Sequence, residues 1–145
     1  MTIENIQKEI IEEFQIFEDW MDKYAYLIEL GNELQDIDPK YKVDDNLIRG
    51  CQSRVWLHPE IENGKIVFEA ESDALIVKGL VALLLRVYSN RTPKEILNSD
   101  LHFIDDIGLN QHLSPTRSNG LLSMIKQMKL YALAYDKIAE KKIEN

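Results

Sequence analysis

The chain has 145 residues, 45% of them hydrophobic and 29% charged, the balance of a single globular domain large enough to bury a core of its own. Its 25 acidic and 17 basic side chains leave a net charge of −8, which argues against nonspecific nucleic-acid binding or attachment to an anionic membrane, since both need basic patches. The single cysteine excludes an internal disulfide, a dithiol redox centre, a structural zinc site and an iron–sulfur cage built from this chain alone.

The opening segment sets Ile3, Ile6, Ile10, Ile11, Phe14 and Phe17 at helical spacing, with Glu4, Glu9, Glu12 and Glu13 among them. Such acids fit neither a secretory leader nor an organellar transit peptide, and the longest wholly apolar run, Leu80–Leu85, is far too short to cross a bilayer. With one free thiol, the expectation is a cytoplasmic protein. A second helix puts Trp20, Tyr24, Leu27 and Ile28 on one face, and Gly31-Asn32 is the expected left-handed stop. Periodicity then lapses from Asn32 to Asn46, where Asp36, Asp38, Pro39, Asp44 and Asp45 predict a polar surface loop.

The period next changes to two. Val55, Leu57 and Ile61 alternate with Arg54, Trp56, Glu60 and Glu62, and after Asn63-Gly64 the apolar Ile66, Phe68 and Ala70 alternate with Lys65, Val67 and Glu69. Asn-Gly accommodates the positive φ angles of a type I′ turn, so the segment predicts a β-hairpin, with Pro59 at an edge position or a bulge. Ser72-Asp73 is the expected cap of an almost wholly apolar helix through Leu75, Ile76, Gly79, Leu80, Leu83 and Leu84, the central buried one. Thr92-Pro93 starts a short helix to Leu97, Leu101–Leu109 holds another, and Gln111–Gly120 is expected to be a loop. A final helix aligns Leu121, Ile125, Met128, Ala132 and Tyr135, and its terminal Lys137, Lys141 and Lys142 complement the helix dipole. Residues 1–145 thus read as one α+β domain, a small antiparallel sheet flanked by N- and C-terminal helices.

Cys51 falls between the acidic loop and the first strand, in Asn46-Leu47-Ile48-Arg49-Gly50-Cys51-Gln52-Ser53-Arg54-Val55-Trp56. A lone cysteine is most often a small buried hydrophobe. Its neighbours point elsewhere: Gly50 removes bulk and permits an unusual backbone angle, and Arg49, Gln52 and Ser53 are polar. A loop thiol beside an arginine can be accessible and partly ionised, as sulfur nucleophilicity requires. Nothing in the sequence sets His58, His102 or His112 next to it as a base, and no resolving cysteine exists. Covalent carriage, as a persulfide, is the chemistry natural to one thiol.

Those residues resemble the SufE family, the sulfur-acceptor partners of cysteine desulfurases in iron–sulfur cluster assembly. The resemblance runs in order through Trp20–Gly31, Gly50–Trp56, Ser72–Leu80, Thr92-Pro93 and Gln111–Leu121. It implies the fold shared with IscU-type scaffolds, and a Cys51 on an exposed loop that takes sulfane sulfur from a pyridoxal-phosphate desulfurase of the SufS kind. It implies delivery to a scaffold such as the SufBCD complex, with no cofactor or metal held by this chain, no nucleic-acid or membrane partner, and a monomer or weak homodimer. A paralogous carrier feeding tRNA modification, or a noncovalent regulator of a desulfurase, is the alternative.

The resemblance also implies a sheltered pocket for the persulfide, which sets burial against ionisation. Gly50 reads equally as a hinge or as a tight turn. Arg117 either steers the anionic sulfur or a partner, or is a surface arginine paired with an acid. His112 is expected to bond backbone in its own loop, with proton transfer as the alternative, Asp73 to cap the central helix, with partner contact second, and Gln52 and Ser53 to hydrogen-bond the loop or the sulfur. Arg49 as the thiol's activator is a hypothesis specific to this sequence, since neither it nor Arg54 belongs to the family motif.

Overall fold

The structure, a computed structural model, describes residues 1–144. Two helices come first, α1 (Ile3–Gln15) and α2 (Trp20–Glu33), each opened by a side-chain cap: Thr2 accepts from the Asn5 N–H, and Asp19 from the Asp22 N–H. Two 3₁₀ turns (Pro39–Tyr41 and Asp44–Asn46) lead to the hairpin of β1 (Val55–Glu62) and β2 (Lys65–Ser72). Helix α3 (Leu75–Tyr88) follows, then the short α4 (Pro93–Leu97), α5 (Phe103–Ile107) and α6 (Leu109–His112), and finally the long α7 (Pro115–Glu144). The class is α+β, with a two-stranded antiparallel sheet flanked by helices. No helix among the described residues is long and apolar enough to cross a membrane.

The hairpin closes as its turn residues require, with Asn63 at φ 53° and Gly64 at φ 78°. Pro59 pairs with Phe68 in an unbroken register. The Phe68 N–H points away from β1, to the Ser89 hydroxyl at 2.9 Å, so the missing Pro59 N–H removes no ladder bond. Strict alternation fails at both ends of β1. Ile61, expected inside, is exposed near the turn, whereas Trp56, which alternation alone would turn outward, is buried. The chain before Cys51 folds over it: Leu47 bridges to Trp56, and the Lys42 ammonium stands 4.8 Å from the indole ring. The predicted polar loop therefore has structure of its own, and it also buries Ile37.

Helix α3 is the centre of the core, burying Val77, Gly79, Leu80, Val81, Leu83, Leu84, Val87 and Tyr88. It packs against α2, β2, α1 and α7. Here the expected stop at Gly31-Asn32 is wrong: α2 continues to Glu33, because Gly31 serves the helix crossing. A Cβ on Gly31 would lie 2.7 Å from the Gly79 nitrogen, and one on Gly79 would lie 2.2 Å from the Leu27 carbonyl oxygen. Two missing side chains let the backbones of α2 and α3 touch, and α3 in turn carries Val77 and Leu80 to the thiol.

The predicted Gln111–Gly120 loop is a second correction. α6 runs to His112 and α7 begins at Pro115, leaving only Leu113 and Ser114 between them. The Ser114 hydroxyl accepts the Arg117 N–H at 3.3 Å and Pro115 takes the first helical position, so the polar, proline-containing run is a helix start.

Candidate functional site

Gly50 has φ +90°, a left-handed conformation that L side chains rarely adopt, and it sits against α7, where an added Cβ would meet the Ser123 Oγ at 2.6 Å. That geometry belongs to a tight turn pressed onto the helix, and it directs the next residue, Cys51, into a cleft of about 330 Å³. Cys51, Gln52 and Ser53 form one wall; Val77 and Leu80 of α3 form the second; Ser114, Arg117, Gly120 and Met124 are among the residues of the third. The cleft is thus apolar at its base and carries hydroxyl, amide and guanidinium groups toward solvent.

The Cys51 S–H donates to the Gly120 carbonyl at 3.6 Å. A Cβ on Gly120 would stand 3.4 Å from the same sulfur, so this glycine sets how much room the thiol has on its α7 side. Cys51 is half-buried, and burial pushes its pKa above the ordinary thiol value. The expectation of a partly ionised thiol is reversed: taking the sulfur out of water disfavours the thiolate. Arg49, the proposed activator, is exposed and lines a neighbouring cleft on the other side of the Gly50 turn, with Ser123 and Lys126.

Of the other residues singled out in the sequence, Gln52, Ser53 and Arg117 converge on the sulfur's cleft. Arg117 lies in the first turn of α7, exposed and, among the described residues, without a carboxylate at ion-pair distance, so the paired-surface-arginine reading is not what the structure has. Asp73 does not cap α3. The residue preceding that helix is Ala74, which offers no side-chain cap. The Asp73 carboxylate instead accepts the Arg54 N–H at 3.1 Å while its own N–H donates to the Arg54 carbonyl, which clamps the downstream end of the cysteine loop at the start of β1.

His112 lies outside the cleft. Its ring stacks on Trp20 with centroids 3.8 Å apart and planes 13° from parallel, its Nδ1 faces the Gly108 carbonyl at 3.0 Å, and its own carbonyl accepts from the Tyr24 hydroxyl. It bonds backbone, as expected, and holds the joint between α6 and α7 from which Ser114 and Arg117 project. His58 stacks on Tyr41 and pairs with Glu60; His102 lies between Glu4 and Asp106. None of the three histidines lines the cleft.

Sequence reasoning missed Gly120 and Met124 as residues facing the sulfur. Both sit one turn apart on α7, a relation hidden while the segment was read as a loop.

The chain matches the family model described as "SufE: Fe-S metabolism associated domain" over residues 8–132. Its fold is also that of a protein from Thermus thermophilus known by its solution structure as a hypothetical protein. The two share 19% identity and superpose with a TM-score of 0.75, over 91% of this chain and 96% of the other.

Proposed function

The chain belongs to the SufE family, whose domain is associated with Fe–S metabolism, and on that basis we propose that Cys51 accepts sulfane sulfur from the persulfide of a pyridoxal-phosphate cysteine desulfurase and passes it on for cluster assembly. The observation that carries this reading is the position of the sulfur. Cys51 opens into a cleft with room beyond Sγ, half-sheltered, with an unpaired guanidinium on the same cleft and no histidine beside it.

In the transfer step the Cys51 thiolate attacks the outer sulfur of the donor's Cys–S–S⁻ group. The new S–S bond forms at Cys51 as the donor's S–S bond breaks, and the donor cysteine leaves as a thiolate. No net oxidation occurs, so neither an oxidant nor a second thiol is needed. Arg117, on the same cleft, would stabilise negative charge on the terminal sulfur. The cleft walls Val77, Leu80 and Met124 keep solvent thiols and oxidants from the bound persulfide. The pyridoxal phosphate would belong to the desulfurase, and the SufBCD-type scaffold is the proposed recipient.

Incubation with a desulfurase and L-cysteine should add one sulfur atom to the intact mass at Cys51, and the desulfurase should turn over faster. Cys51→Ser should abolish both. A Cys51→Ser protein that still accelerated the desulfurase would refute carriage and favour a noncovalent regulator.

A further inference from the structure

The chain has five arginines, and they divide sharply by location. Far from the thiol, Arg86 is ion-paired with Glu9 and Glu13, and Arg91 with Glu95. The other three are Arg49, Arg54 and Arg117. They stand two residues before Cys51, three residues after it, and across the cleft from it. All three are exposed, and among the described residues none has a carboxylate at ion-pair distance. Lys126, likewise unpaired, lines the neighbouring cleft with Arg49. Acids lie on this face as well: Asp45, in that same second cleft, and Asp73, whose carboxylate accepts the uncharged Arg54 N–H. A protein of net charge −8 therefore keeps its three unpaired arginines near its one thiol, Arg117 on the cleft itself and Arg49 and Arg54 within three residues of Cys51 along the chain.

We propose that this arginine rim is a docking surface for an acidic protein surface around the donor cysteine of the desulfurase. The inference rests on the carrier reading and adds how the donor is recognised. Placement argues for a protein rather than a small anion. Arg117 lines the cleft of Cys51 and Arg49 the second cleft, with the Gly50 turn seated on α7 between them, so one small ion cannot reach both. A broad acidic surface can. The charge of the remaining chain disfavours nucleic acid, because the phosphate backbone would meet the acidic bulk of residues 1–50, which hold 13 acidic and 5 basic side chains. Opposed charges of this kind raise the encounter rate and orient the partner more than they add to final affinity.

The test measures the rate at which a purified cysteine desulfurase, supplied with L-cysteine, charges Cys51. Wild type is compared with Arg49→Glu/Arg54→Glu and with Arg49→Lys/Arg54→Lys, from about 20 mM to about 500 mM salt, where screening shortens to roughly 4 Å. The lysine variant should match wild type. The glutamate variant should be roughly tenfold slower at low salt, with the gap closing to within about twofold at high salt. Alkylation of Cys51 by neutral iodoacetamide should be alike in all three, which separates docking from thiol reactivity. A glutamate variant charged as fast as wild type, or a deficit that persists at high salt, overturns the rim. So does competition by a single-stranded RNA that binds wild type and not the variant. Failure of wild-type Cys51 to acquire sulfur at any salt refutes the carrier reading itself.

Discussion

Replacing Gly50 by alanine should weaken the fold and loosen the thiol together. At φ +90° an L side chain is strained, at a cost of about 1–2 kcal/mol. The new Cβ would also fall 2.6 Å from the Ser123 Oγ but 3.5 Å from the Ser123 Cβ, so the clash is with a rotatable hydroxyl. Driving that hydroxyl off its rotamer costs about 0.5–1.5 kcal/mol. The sum is roughly 1.5–3.5 kcal/mol if the turn holds its shape. If the turn gives way locally, less of this appears in global stability, and the strain is relieved by lifting Cys51 away from Gly120. Urea denaturation reads the first response and the rate of iodoacetamide modification at Cys51 reads the second. The Ser123→Ala background removes the hydroxyl, so Gly50→Ala there should regain only the steric portion. Full recovery would mean that backbone strain is not the constraint. A Gly50→Ala protein with wild-type stability and wild-type thiol reactivity would refute the account of the turn altogether.

Three further outcomes follow from the same geometry. Because burial raises the Cys51 pKa, its alkylation rate should have a midpoint above that of an exposed thiol, and the stability this group contributes should be present below the unfolded-state thiol pKa and lost as pH rises through the folded value; a midpoint at or below the ordinary value would contradict the burial. Gly79→Ala drives a methyl into the Leu27 carbonyl oxygen, forcing α2 from α3 at a gross cost of about 3 kcal/mol, the upper end for overpacking because the clash is with backbone, against roughly 1 kcal/mol of helix propensity gained; thermal unfolding should show a net loss, and on the carrier reading α3's shift should slow sulfur uptake through Val77 and Leu80. The Arg86 guanidinium, bonded to Glu13, holds that carboxyl below the usual range. Its contribution should therefore be present above the unfolded-state carboxylate pKa and disappear as pH falls through the lowered value, and Arg86→Met should cost about 1 kcal/mol at neutral pH for this partly exposed pair and flatten that acid limb in urea titrations.

The strength of the local signals explains what was legible in the sequence. The Asn63-Gly64 turn, the Thr92-Pro93 helix start and the apolar α3 each depend on chemistry contained within a few residues, and each is where the sequence put it. The errors share a different cause. Gly31 reads as a helix stop because a glycine's use in a crossing depends on Gly79, which is distant in sequence. Alternation alone would turn Trp56 outward because its cover comes from Lys42 and Leu47, and Asp73 reads as a cap because its true partner is the Arg54 backbone. At the site, Cys51 stood out by its uniqueness and Arg117 by its motif. Gly120 and Met124 did not, since what matters about them is the distance to a sulfur on another segment.

The raised thiol pKa bears on how a carrier of this kind would avoid accidental chemistry. A thiol that ionised freely at neutral pH would react with any electrophile or oxidant that reached it. Burial disfavours the Cys51 thiolate, so alkylation of the free chain should be slower than that of an exposed thiol. On the carrier reading the missing activation must then arrive with the donor. Docking on the arginine rim would neutralise an acidic partner surface, exclude water from the cleft mouth, and bring the donor persulfide within reach of both Cys51 and Arg117. In a cleft closed to water the guanidinium stabilises a sulfur anion more strongly than it does in the open chain. Burial alone raises the thiol pKa; a cation held beside the sulfur in the same cleft acts in the opposite direction. The partner's closure of the cleft would thus strengthen that opposing cation effect, with no histidine on the cleft to act as base.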